Sequence, residues 1–193
     1  LGREIGNASE TREALEVLHG EGPSDLVECT RVLAREMLQL GRVAATAEEA
    51  DARIDEAIAS GAALRTMERM VAAQGGDARV VAEPSRLELA PEKVQVLATR
   101  GGFVTGIDAL AVGLAGVAMG AGRTRADQAV DFGVGVTLAK KPGEPVAAGE
   151  PLATLHLRPG QDAEGLRARV AAAFELGVEA PTRLPLVAGR VTA

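Results

Sequence analysis

Two arginines in a glycine-rich loop are the first side chains in this sequence that could act on a ligand. GAGRTRADQ, residues 120–128, sets Arg123 and Arg125 among two glycines and a carboxylate, a combination able to hold an anion. The loop follows an apolar, Gly-rich helical run, so its glycines lie at the negative end of a helix dipole, whereas phosphate binds at the positive, N-terminal end. The G-x-x-x-x-G-K-[ST] pattern is absent, and no strand precedes the glycines in a G-x-G-x-x-G context. Gly120 and Gly122 are therefore expected to be C-cap and turn residues. Their arginines are expected to meet the last helix carbonyls or the nearby Asp127 and Asp131.

Other reactive types are sparse. His19 falls at a helix C-terminus, where a cation is mildly favoured. His156 alternates with Leu155 and Leu157 and is expected to face solvent from a strand. Neither has metal-ligand spacing with the single cysteine, Cys29, which sits in a helical run as a small hydrophobe. No G-x-S-x-G elbow marks a nucleophile. Glu48, Glu49, Asp51, Asp55 and Glu56 crowd one helix and are expected to form a solvated face.

The elements that must position these residues divide the chain. Residues 9–19 carry Ala14, Leu15 and Leu18 at helical spacing, ended by Gly20. Ser24-Asp25 is expected to cap a second helix with Leu26, Val32, Leu33, Met37, Leu38 and Leu40 as its stripe. Thr46 with Glu49 makes a capping box for a third, ended by Gly61, and a fourth runs to Gly75-Gly76. Then the pattern changes: Pro84 and Pro91 precede strand-like runs at VQVLA, GGFVTGI, VGVTLAKK and PLATLHL. Between them lies DALAVGLAGVAMGAG, capped by Asp108. A last helix spans 162–174, and a proline-containing tail is expected to end in a short strand, PLVAGRVTA. A boundary is placed at residues 84–93.

The 193 residues are 47% apolar, 25% charged and only 2% aromatic, with a net charge of −6. The core must be aliphatic. Few rings are available to stack on bases, and an acidic chain is a poor partner for nucleic acid or anionic membranes. One cysteine allows no intrachain disulfide, which fits a reducing compartment. No run of about 18 apolar residues suggests a membrane span. The sequence begins with Leu1 rather than Met, and it reads as a piece of something longer or a trimmed product.

KKPGEPVAAGEPLATLH (140–156) has the strand–turn–strand pattern of lipoyl and biotinyl carrier domains. Lys140 and Lys141 lack the DKA or MKM context of a modified lysine, so a structural hairpin is expected. Three longer stretches point to one family. LGREIGNASETREALEVLHGEGPSDLVE (1–28), MVAAQGG followed by Asp77, and IDALAVGLAGVAMGAGRTRADQAVDFGVGVTLAKKPGEPVAAGEPLATLH (107–156) resemble the C-terminal half of pyrimidine nucleoside and thymidine phosphorylases.

That resemblance implies an α/β chain. Residues 1–88 would be the C-terminal, mainly helical portion of a phosphorylase/phosphoribosyltransferase-like catalytic domain. Residues 89–193 would be a small α+β domain with a hammerhead or barrel-sandwich arrangement of strands. It implies phosphate-dependent cleavage of a pyrimidine nucleoside to free base and pentose 1-phosphate by a cytoplasmic homodimer. The catalytic and phosphate-binding residues would lie upstream, since no K-x-S-T-G-G-like stretch occurs here, and the chain alone is expected to be inactive. It also implies a monovalent cation, potassium, held by the main-chain carbonyls of Leu1 and Glu4 and the carboxylate of Glu13, oxygen ligands suited to a hard ion. Glu4 stands where the family has a small apolar residue. An AMP-type nucleotide phosphorylase and a non-catalytic lipoyl-like scaffold are the alternatives.

Overall fold

The computed structural model describes residues 2–182 and 184–191. They fall into two compact units, one comprising Leu1–Gly2, Arg12–Arg86 and Leu184–Ala193, the other Arg3–Thr11 and Leu87–Arg183.

The first unit is helical. It contains most of α1 (Asn7–Leu18), then α2 (Ser24–Leu40), α3 (Ala47–Ala59) and α4 (Ala62–Ala73). The Thr46 hydroxyl accepts from the Glu49 N–H at 3.2 Å, and the Glu49 carboxylate accepts from the Ala45 N–H, which opens α3 where the capping box predicts. The expected Ser24-Asp25 cap is corrected: Pro23 occupies the N-cap and Ser24 is already helical. Proline's fixed φ suits a helix entry, and Asp25 turns its carboxylate on the Leu26 N–H instead. The crowded carboxylates of α3 are only partly a solvated face. Arg31 and Arg35 of α2 reach across to Asp55 and Asp51, so charge pairing joins the two helices.

Burial in this unit is thin. Leu15, Ala44, Ala50 and Val81 are inside, whereas α2 and α4 bury no residue fully. Leu33, Met37 and Leu40, one ridge at i, i+4 and i+7, are 59%, 72% and 81% exposed.

The second unit is built on two antiparallel sheets. Among the described residues seven strands form: β1 (Glu4–Gly6), β2 (Glu92–Leu97), β3 (Gly102–Ile107), β4 (Gly135–Leu138), β5 (Pro145–Val146), β6 (Pro151–Leu157) and β7 (Phe174–Gly177). One sheet has the order β1-β4-β6-β2, the other β5-β3-β7. Helices α5 (Ala109–Met119) and α6 (Ala163–Ala172) close over them. Val96, Val104, Val136, Leu155 and Leu157 from the strands meet Val112, Ala115 and Met119 of α5 and Leu166 and Val170 of α6 in one aliphatic core. Each buried Val, Leu or Met among them contributes about 1.5–3 kcal/mol by leaving water. The Asp108 carboxylate caps α5 at the Ala111 N–H, and Gly120 ends it in the left-handed region (φ +102°) that a side chain would resist.

Four of the seven strands match runs expected from sequence. The other three, β1, β5 and β7, are two to four residues long and exist through their partners. The expected strand at PLVAGRVTA does not form over residues 185–191, and Thr192–Ala193 lie outside the described residues.

Candidate functional site

The residues with chemical potential lie around the two ends of the segment Gly2–Glu13. In the first unit, Glu13 faces inward from α1 and is only 7% exposed. A buried carboxylate is costly to desolvate and calls for hydrogen bonds or a cation. Its oxygens occupy the space into which a side chain at Gly2 would project, so any such side chain would collide with them. Gly2 is in the left-handed region (φ +65°), so both space and backbone require glycine here. A buried carboxylate is an oxygen donor of the kind that suits a hard monovalent cation. Leu1, the other member of that set in this unit, lies outside the described residues.

In the second unit, Glu4 belongs to β1, the edge strand, opposite Thr137 of β4. The Leu138 N–H donates to the Arg3 carbonyl at 2.7 Å, making Arg3 and Leu138 a hydrogen-bonded pair. Ladder pairs alternate, so Glu4 and Thr137 form a non-hydrogen-bonded pair with close side chains, and the Glu4 carbonyl points away from β4. The side chain does the opposite. The Thr137 hydroxyl donates to Glu4 Oε2 at 2.8 Å, and Thr137 Oγ1 also lies 2.9 Å from His156 Nε2 on β6.

His156 therefore corrects the sequence reading. It is 5% exposed rather than solvent-facing. Leu155, His156 and Leu157 are all buried, because β6 is an inner strand covered on both faces. Register places Gly135 opposite His156, and the ring reaches diagonally to Thr137, two residues along β4. Thr137 lies 133 residues from Glu4 in the chain, and His156 lies farther still, so this line gives no signal in the sequence.

The GAGRTRADQ loop is a connector, as its position after α5 suggested. Arg125 pairs with Asp127 at 2.6 Å, and Arg123 donates to the Ala126 carbonyl at 3.3 Å. Asp131 does not serve either arginine. It takes a two-pronged bond from Arg158, at 2.8 and 2.9 Å, and accepts from the Gly133 N–H. That guanidinium above all holds the Asp131 carboxyl below its ordinary range, and the Asp131 carboxylate raises Arg158 in return. The cleft at this pair, about 450 Å3, is lined by Asp131, Arg158 and Glu88 together with Ala129, Val130 and Phe132. A second cleft of about 160 Å3, lined by Leu97, Leu152, Phe174 and Leu176, is smaller than the roughly 300 Å3 of an ordinary ligand pocket.

The remaining residues are structural. The His19 ring meets the Val81 carbonyl at 3.1 Å. Cys29 lies half-buried on α2. Lys140 is no displayed carrier lysine: its ammonium is held by Glu150 at 2.6 Å and the Pro145 carbonyl at 2.9 Å. Among the described residues no three His, Cys, Asp or Glu side chains converge as a metal cluster, and no helix is long and apolar enough to cross a membrane.

Comparison with known proteins gives this architecture a context. Residues 103–177 match the family model of the pyrimidine nucleoside phosphorylase C-terminal domain. Over 156 residues the chain is 42% identical to the pyrimidine-nucleoside phosphorylases of Staphylococcus aureus strains USA300, NCTC 8325 / PS 47 and COL. The alignment covers 81% of this chain and 36% of each relative, so the chain spans just over a third of their length.

Proposed function

We propose that this chain, which carries the C-terminal domain of the pyrimidine nucleoside phosphorylase family at residues 103–177, works as the C-terminal part of such an enzyme. The reaction is phosphate-dependent cleavage of a pyrimidine nucleoside to the free base and a pentose 1-phosphate. The observation that carries this reading is the 42% identity across four-fifths of the chain to proteins of that name. The residues that hold phosphate and nucleoside come from outside these 193 residues. Within them, Arg123, Arg125 and Arg158 are each engaged by protein oxygens.

The uncovered ridge of α2 supports the same reading. Three large apolar side chains in line on one helix face are unusual on a finished surface and suit a covered one. The lipoyl-like scaffold has no comparable support, because Lys140 is ion-paired within its own hairpin.

A potassium ion belongs to the proposal. The Leu1 and Glu4 carbonyls and the Glu13 carboxylate would hold it, with further ligands from the rest of the enzyme. Bound there, it would supply positive charge to a buried carboxylate and brace the main chain at the start of this segment. The burial of the Glu13 carboxylate supports its part in that donor set. Cytoplasmic location and homodimer formation are part of the same proposal.

The test is an assay of two polypeptides, this chain and the product of the whole reading frame that encodes it, with uridine or thymidine and phosphate. Phosphate-dependent base release by the longer product alone is expected. Release by the 193-residue chain itself, or none by the longer product with either nucleoside, would overturn the reading.

A further inference from the structure

The sequence has three phenylalanines and no Trp or Tyr. Phe174 is buried and Phe103 half-buried, whereas Phe132 is 66% exposed. Its backbone is nonetheless firmly held. The Asp131 N–H donates to the Gly120 carbonyl at 2.9 Å, and the Ala8 N–H to the Phe132 carbonyl at 2.9 Å. The Gly133 N–H donates to the Asp131 carboxylate at 2.9 Å, and the Gly133 carbonyl accepts from Ala90 at 2.7 Å. A ring set in water on a fixed backbone loses little freedom when it is covered, which is the property of an interface anchor.

The ring lines the cleft of about 450 Å3 that also holds Glu88, Asp131 and Arg158. Their charges decide what fits beside it. Both Asp131 oxygens accept from Arg158, through Nε and Nη2. Glu88 is exposed, makes no hydrogen bond or ion pair among the described residues, and acts on Arg158 only through space. The cleft therefore carries a net negative charge, on Glu88, together with an aromatic face. An anion would meet that charge, with the cleft's arginine already engaged. An aliphatic side chain would cover the ring but desolvate a carboxylate it cannot pair. A guanidinium answers both, stacking on the ring and donating to the carboxylate. Its apolar stem suits Ala129 and Val130, which line the same cleft.

We propose that the Phe132 cleft is the docking site for an arginine side chain carried by the part of the polypeptide outside these 193 residues. Relatives of this chain have most of their length beyond the matched region, since the alignment covers 36% of each. The inference rests on the reading above in one respect, that the chain belongs to a longer protein.

The test introduces Ala129→Cys, at an exposed lining residue, in a Cys29→Ala background. Its rate of reaction with a thiol reagent is measured in this chain and in the product of the whole reading frame. Labelling should be about tenfold slower in the longer product, because reaction there awaits local opening. In that product Glu88→Gln and Phe132→Leu should each restore the rate several-fold, and Glu88→Asp, which keeps the charge, should restore less. In the 193-residue chain the same changes should leave the rate little altered. They replace exposed side chains, so the fold should tolerate them.

Equal labelling at both lengths would overturn the docking site. So would slow labelling indifferent to Glu88→Gln, since a neutral side chain would then cover the ring. Protection that appears in the short chain as its concentration rises would assign the cleft to a second copy and overturn the proposed occupant. A reading frame that adds no residues would overturn it as well. Base release assayed on the same longer product separates the two readings. Phosphorolysis with the Ala129→Cys thiol freely labelled removes the docking site and leaves the enzyme reading, and a protected thiol without phosphorolysis does the reverse.

Discussion

Removing the α2 ridge should cost nothing in this chain and a great deal in the longer enzyme. Leu33, Met37 and Leu40 are mostly exposed, so truncating all three to alanine removes little buried surface. Alanine is also the best helix former, which offsets part of any loss. The triple variant of the 193-residue chain should therefore match its parent within about 0.5 kcal/mol. If the rest of the enzyme covers the ridge, the exposed fractions become buried ones. At about 2 kcal/mol for each fully buried side chain, the three together would contribute about 4 kcal/mol. Chemical denaturation of both lengths, parent and variant, reads the difference directly. A small effect at both lengths would show that the ridge faces solvent in the whole protein, and its use as support for the proposal would fail. A large loss in the short chain would mean the ridge is already packed.

Three further outcomes follow from the geometry. Leu155→Ala should destabilise the second unit by about 2–5 kcal/mol, measured by denaturation, because Leu155 is fully buried on an inner strand and leaves a cavity. Gly2→Ala should disturb the Glu13 side chain and strain a left-handed backbone, seen as large shifts of the Glu13 resonances and a lower melting temperature. Asp131, whose carboxyl Arg158 holds below its ordinary value of 3.8, gives stability that is full above that pH and is lost as acid titrates the folded carboxyl. Asp131→Asn should remove that part of the acid-side slope in a pH-dependent denaturation series, at a cost of about 0.5–1 kcal/mol near neutrality for a partly exposed pair.

What could be read from the sequence was local. Thr46 with Glu49, Asp108 before α5 and Gly120 after it are signals within one helical turn, and each fell where the residue types placed it. The apolar runs of β2, β3, β4 and β6 were legible for the same reason. What stayed hidden depends on partners distant in the chain. β1 is a strand because β4 lies beside it, 130 residues later, and EIG carries no pattern of its own. Alternation assigned His156 to solvent, but alternation cannot tell a strand with one wet face from one covered on both. The Asp131–Arg158 pair joins residues from different elements, so Asp131 was matched to nearer arginines instead.

The glycine-rich loop shows how direction decides chemistry. Its arginines looked like an anion site, but the helix before it presents carbonyls, and the loop settles its own charges through Asp127 and the Ala126 carbonyl. Glu13 and Glu4, by contrast, were singled out only through family resemblance. In the structure Glu13 is buried and Glu4 takes the Thr137 hydroxyl, settings that no local sequence pattern marks.

The most direct test of the central claim is phosphorolysis by the product of the whole reading frame, with this chain as its control. The account predicts phosphate-dependent release of uracil or thymine by the longer product and none by the 193 residues alone. Base release by the short chain, or a longer product that binds neither nucleoside nor phosphate, would contradict it.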